Sequence, residues 1–158
     1  MAESKRKTTR PARAVPARDG AMGEADYAAL AQFRYQIRSF LAFSEAAAQA
    51  QGLTAQQHQA LLGIKGFVHP QPATVGDIAR FLLIRHHSAV ELLNRMTKLG
   101  LIIKVADPED ARRVHLKLTT KGEKKLRALS QKNLEELRRA ASPALSRLLR
   151  SFRHSGGA

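Results

Sequence analysis

The side chains between Arg85 and Lys98 suit a surface that recognises by hydrogen bonding and charge. His86, His87, Ser88 and Glu91 gather donors and acceptors at one end of this stretch, and Arg85, Arg95 and Lys98 add cations around them. An imidazole N–H can donate to guanine N7 or O6, a hydroxyl can donate or accept, and a carboxylate can accept from cytosine N4. Guanidinium and ammonium groups are better matched to phosphates. The alternative for the two histidines is plain exposure. A second basic point, Arg112 and Arg113, lies just after Asp110. An arginine there can enter a minor groove narrowed by A·T pairs, where the negative potential is enhanced. It can equally form a surface ion pair with Asp110, which contributes little.

Covalent and metal chemistry find no support. No Ser-His-Asp pattern is present, and Gly63 and Gly66 lack the strand–loop–helix setting of a phosphate loop. His58, His69, His86, His87 and His115 include no pair three or four residues apart, and adjacent residues on a helix point about 100° away from each other. Cysteine is absent, which removes thiolate ligands and thiol redox sensing. The sequence therefore predicts neither an enzyme nor a cofactor or metal site.

The elements that must position these residues can be read from periodicity and caps. Thr74 and Asp77 form a capping box for a short helix whose Val75, Ile78, Ala79, Leu82 and Leu83 would bury one face. A second helix, from about Arg85 to Leu99, sets Ala89, Leu92, Leu93, Met96 and Leu99 against an opposite face of His87, Glu91, Asn94, Arg95 and Lys98. Gly100 provides the left-handed stop. Residues 101–105 and 114–118 are β-prone, and the second run alternates Val114, Leu116 and Leu118 with His115 and Lys117. The charged loop between them is too long for a tight turn and would project as a wing. Two helices, a hairpin and a charged loop in this order outline a winged helix-turn-helix, mainly α with a small β-hairpin wing (α+β).

The flanks supply supporting helices. A long helical pattern runs from Tyr27 to about Gln51 and ends at Gly52, with aromatic residues on more than one face. Thr54 and Gln57 open a helix whose Leu53, Ala60, Leu61 and Ile64 should pack under the helix-turn-helix, and Gly66 ends it. Pro70 and Pro72 make a rigid connector. Thr120 with Glu123 reads as a third capping box, for a helix bearing Leu126, Leu129, Leu134 and Leu137 that reaches about Ala141. Ser142 and Pro143 would start a final helix to about Phe152, before a frayed tail at 154–158. Residues 1–22 hold six cations among Pro, Ser, Thr and Ala and are expected to be a disordered arm. The arm either tracks phosphates or serves as a solubilising tail, or the start site lies too far upstream.

Three runs, GLTAQQHQALLGI, HSAVELLNRMTKLGLI and DPEDARRVHLKLTTKGEKKL, resemble patterns of the multiple antibiotic resistance regulator (MarR) family in family order and spacing, over roughly residues 27–140. The resemblance implies a single domain over about 23–153, with the winged helix-turn-helix at about 53–120. It also implies a helical dimerisation layer at about 25–51 and 120–153. The implied function is that of a homodimeric, sequence-specific double-stranded-DNA-binding transcription regulator, a repressor on an inverted repeat. Asp110 would brace the wing and Arg112, or else Arg113, would enter the minor groove. A small-molecule pocket is implied as well, with Phe33, Tyr35, Arg38, Phe43 and His58 as lining candidates for a small aromatic or anionic effector, the alternative being plain core. The chain departs from the family pattern at Leu83, where glycine is frequent, and at Arg85, where a small capping residue is usual.

Composition bounds the reading. At 158 residues with 44% apolar content the chain fits one globular domain. It shows no bilayer-length apolar run and no secretory signal, so the expectation is a cytoplasmic, nucleoid-associated protein of bacterial type. The net charge of +14 calls for an anionic partner. A protein binding DNA through charge alone, an architectural protein, is the rival reading.

Overall fold

The computed structural model describes residues 23–110 and 113–140. The expected basic arm, the final helix and tail, and Arg112 lie outside the described residues. The elements in order are α1 (Glu24–Ala50), α2 (Ala55–Gly66), β1 (Ala73–Thr74), α3 (Val75–Leu82), α4 (His86–Lys98), β2 (Ile102–Ala106), β3 (Val114–Leu118) and α5 (Thr120–Ala140).

The core sits where α2, α3, α4 and the sheet meet the first half of α5. Leu61, Ile78, Leu93, Met96, Leu101, Ile102 and Leu129 are fully buried there. Each comes from an apolar stripe at helical spacing or from the start of a strand, so burial of these stripes against one another is the main stabilising term. The expected placement of Leu53, Ala60, Leu61 and Ile64 beneath the helix-turn-helix is observed.

The expected hairpin is the larger part of a three-stranded antiparallel sheet ordered β1-β3-β2. Ile102 to Ala106 pair with Leu118 back to Val114, and Ala73 and Thr74 pair with Leu116 and His115. This third strand was not expected, because two residues carry no periodicity. It also changes the burial of β3. With neighbours on both sides only at 115 and 116, Leu116 is buried and the His115 side chain is 14% exposed, whereas Val114 beyond the reach of β1 is 36% exposed. The clean alternation expected for this strand is corrected accordingly.

Two leucines assigned to buried faces are in the open. Leu83 is 91% and Leu99 48% exposed. Each follows the last helical residue, where the chain leaves the helix and the periodicity no longer applies; Gly100 beside Leu99 has φ +67°, the left-handed stop expected. The third capping box, expected from Thr120 and Glu123, does not form, and a simple cap one residue earlier replaces it. Thr119, not Thr120, accepts at its hydroxyl from the Gly122 amide, and Glu123 turns to Lys65 across the domain.

The other two capping boxes form as expected, with Thr54 and Gln57 exchanging hydrogen bonds and Thr74 and Asp77 doing the same. Lysines of α5 complete the frame. Lys121 donates to the Leu99 carbonyl and Lys125 to the Gln51 carbonyl, so one helix satisfies carbonyls at the C-terminal ends of α4 and α1.

Outside this lobe, α1 is nearly bare. Ala48 alone is buried on it, and Tyr27, Leu30, Ile37 and Leu41 lie exposed at spacings of three, seven and four residues along one stripe. Leu134 and Leu137 of α5 are exposed as well.

Candidate nucleic-acid interface

α4 is held by its apolar stripe. Ala89, Leu92, Leu93 and Met96 are buried against α3 and the sheet, which leaves His86, His87, Glu91, Arg95 and Lys98 exposed and Ser88 half-buried. The N-terminal turn therefore presents two imidazoles, a hydroxyl and a carboxylate to the outside, with cations farther along. A helix end of this kind can enter a major groove, because its first-turn side chains project beyond the helix body. Lys104 of β2 donates to Asn94 at 2.6 Å and ties the helix to the sheet edge.

Upstream, α3 is fixed by Asp77. Its carboxylate accepts from the Thr74 amide at 3.0 Å and the Thr74 hydroxyl at 2.7 Å and pairs with Arg80 at 3.2 Å. Burial alone would push this carboxyl up, but the two Thr74 hydrogen bonds and the Arg80 and Arg113 charges together hold it below its ordinary value. A depressed folded-state pKa means stability that is complete above the unfolded value near pH 4 and lost as pH falls through the folded one. Denaturation followed from neutral pH to about pH 3 should show such a decline, and Asp77→Asn should flatten it. An unchanged acid limb in the variant would remove Asp77 from the account.

The wing is braced at its base by Asp107. Asp107 accepts from the Glu109 amide at 2.8 Å, and its other oxygen meets His115 Nε2 at 2.8 Å. The Glu109 amide, followed by the His115 contact, holds the Asp107 carboxyl below its ordinary value. Asp110 accepts at its carbonyl from the Arg113 amide at 2.8 Å, closing the turn. Arg113 is exposed and its charge reaches Asp77, so it stands at the wing base beside α3. Asp107 and His115 escaped the sequence reading because the pair exists only once β2 and β3 are in register. Among the described residues no group of three His, Asp or Glu could hold a metal, and no helix is long and apolar enough to cross a membrane.

Residues 51–113, from the end of α1 to the wing, match the family model described as MarR family. These residues form a winged helix similar to that of the MarR family. The whole fold agrees with that of MarR-family transcription regulators. One such regulator superposes with TM-score 0.66 at 24% identity, over 82% of this chain and 83% of its own. A variant of S. aureus MepR bound to an oligodeoxyribonucleotide gives 0.57 at 21%, over 82% and 94%. BpsR of Bordetella bronchiseptica, described by its regulation of DNA binding by 6-hydroxynicotinic acid, gives 0.56 at 17%, over 80% and 91%. Among curated proteins none matches the sequence.

The two departures from the MarR pattern are visible in the turn between α3 and α4. Leu83 has φ 55° and ψ 40°, while its amide and that of Ile84 close onto the Arg80 and Ala79 carbonyls. This is the left-handed C-cap that favours glycine. Arg85 caps α4 with no side-chain hydrogen bond. Replacing Leu83 by glycine removes a left-handed penalty of roughly 1–2 kcal/mol against a backbone entropy loss of roughly 0.5–1 kcal/mol. Leu83→Gly should thus stabilise the protein by about 0.5–1 kcal/mol in chemical denaturation. A net destabilisation would mean that the exposed leucine packs on something in the folded protein.

The five residues proposed for a ligand pocket do not share a place. His58 is buried in the wall of a cavity between α1, α2 and α5, whereas Tyr35 and Arg38 line a shallow groove on the outside of α1. Phe33 and Phe43 line neither.

Proposed function

We propose that this protein binds an inverted-repeat operator in double-stranded DNA as a homodimer and represses transcription until a small molecule releases it. The observation that carries this reading is the outward N-terminal turn of α4, with His86, His87, Ser88 and Glu91 beside a wing that bears basic residues. The exposed apolar stripe of α1 and the exposed leucines of α5 support a two-fold partner, since a monomer leaves such faces in water. MepR with its oligodeoxyribonucleotide and BpsR with its pyridine acid support the DNA and effector parts by analogy of fold.

The test is a random-pool selection followed by position-by-position binding at one salt concentration. A specific regulator should prefer its operator by ~10³ or more, whereas binding through the +14 charge alone leaves less than about tenfold preference. Within that profile His87→Ala should weaken one or two base pairs inside each half-site by ~1–3 kcal/mol. Arg112→Ala should lower affinity by a similar ~1–3 kcal/mol with selectivity relaxed at outer A·T positions. Identical profiles for the two variants would assign the wing no separate role.

A further inference from the structure

Leu83 carries two anomalies at once. Among the described residues it is the only non-glycine residue with a positive φ, 55°, and at 91% it is the most exposed of their large apolar side chains. The backbone conformation is imposed by the helix stop. The Leu83 amide donates to the Arg80 carbonyl at 3.2 Å and the Ile84 amide to the Ala79 carbonyl at 3.0 Å, the paired bonds that close a helix through one left-handed residue. The apolar contact that often accompanies such a stop belongs to the following position, and Ile84 is correspondingly half-buried. The Leu83 side chain thus contributes little to the protomer. Glycine would meet the same backbone demand without the left-handed penalty and without holding a branched apolar group in water.

The place of Leu83 gives that side chain a use. It stands two residues before Arg85, the N-cap of α4, and three before His86. Three residues of chain span at most about 11 Å, so Leu83 lies within one major-groove width, about 12 Å, of the start of α4. A duplex that receives His86, His87, Ser88 and Glu91 therefore brings base edges close to the leucine. The apolar feature of those edges is the thymine 5-methyl, which projects into the major groove. A sparsely populated backbone conformation kept against stability points to function when it falls at a binding surface.

We infer that Leu83 is a specificity-determining residue of the DNA interface, burying its side chain against a thymine 5-methyl at one position in each half-site. The inference rests on the DNA-binding function proposed above, and adds an apolar contact to the hydrogen bonding offered by α4. Burial against the methyl removes from water the apolar surface that the free protein leaves exposed. The left-handed turn is what directs a side chain outward at this corner, since the residue after it turns in. Leucine in place of glycine is then explained by the bound state and not by the stability of the protomer.

The probes are the duplex that the full chain selects from the random pool and copies in which each thymidine in turn is replaced by deoxyuridine, which lacks only the methyl. At one thymine in each half-site the parent should lose about fourfold in affinity, as expected for one buried methyl-sized group. Leu83→Gly should bind the unmodified duplex at least about fourfold more weakly per half-site and lose nothing further at that thymine. Leu83→Met, which keeps an apolar side chain, should retain the response. A turn merely loosened by glycine would weaken binding yet leave the parent's deoxyuridine profile intact, so the profile separates contact from structure. Urea denaturation of Leu83→Gly, expected to match or exceed the parent in stability, shows that weaker binding does not come from unfolding. Equal deoxyuridine profiles for parent and Leu83→Gly, unchanged affinity in that variant, or a selected duplex with no thymine in its half-sites would overturn the inference and leave the proposed function standing. A full chain with less than about tenfold preference among duplexes would overturn both.

Discussion

Gly122→Ala should destabilise the protein by about 3 kcal/mol, or more if the surroundings cannot yield. Gly122 lies in the first turn of α5, and a Cβ built on it would come 2.1 Å from the Leu101 carbonyl oxygen and 3.2 Å from its carbon. Neither can move cheaply. Leu101 is 1% exposed, and its carbonyl accepts from the Thr119 amide at 3.1 Å. By helix propensity alone, alanine would be better than glycine by about 1 kcal/mol, so the sign of the result decides between local and tertiary effects. Gly66 is the control. It closes α2 with nothing within 4 Å of a built Cβ, and Gly66→Ala should be neutral or gain up to about 1 kcal/mol. The comparison is made by urea denaturation. If Gly122→Ala were as stable as Gly66→Ala, the close approach of α5 to the start of β2 would be wrong.

That glycine also shows what the sequence can and cannot tell. The run of Thr119, Thr120, Lys121 and Gly122 could be quoted as part of a resemblance, but nothing local says that the helix start rests on a carbonyl 21 positions earlier. The same limit explains the shifted cap. Two adjacent threonines offer the same chemistry to a helix start, and the choice is made by a tertiary contact, the Thr119 hydroxyl donating to the Gly100 carbonyl at 2.6 Å. Where caps have one candidate, as at Thr54 and Thr74, local chemistry suffices and the elements were legible to within a few residues. Leu83 and Leu99 mark where periodicity was extended past the residue that breaks the helix.

The candidate site divides in a similar way. The face of α4 that carries His86, His87 and Glu91 was legible because burial of Ala89, Leu92, Leu93 and Met96 on a helix fixes which residues are left outside. The wing brace was not, since Asp107 and His115 are eight residues apart in sequence and meet only across a closed hairpin. Nor was the cavity. His58 was among the lining candidates, together with Phe33, Tyr35, Arg38 and Phe43 of α1, but Ser44 and Asn133 were not, because the three polar residues come from three helices and no spacing relates them.

Ile37→Asp should separate the proposed dimer. Tyr27, Leu30, Ile37 and Leu41 recur at the spacing of a helical seam, and Ile37, in its middle, is 42% exposed within the protomer. An aspartate there leaves the protomer core untouched, yet in a two-fold interface it would bring a carboxylate from each copy into an apolar contact where neither is paired. Light scattering should therefore show a monomer at micromolar concentration. Operator affinity should fall by ~10²-fold or more, because two half-sites no longer bind as a linked pair, while affinity for an isolated half-site stays within a few-fold of the parent. Retained helical content in circular dichroism would show that the change acts on association and not on the fold of the protomer. A variant that stays dimeric with full operator affinity would sink the seam as the interface, and the exposed leucines of α5, Leu134 and Leu137, would then have to account for the pairing alone.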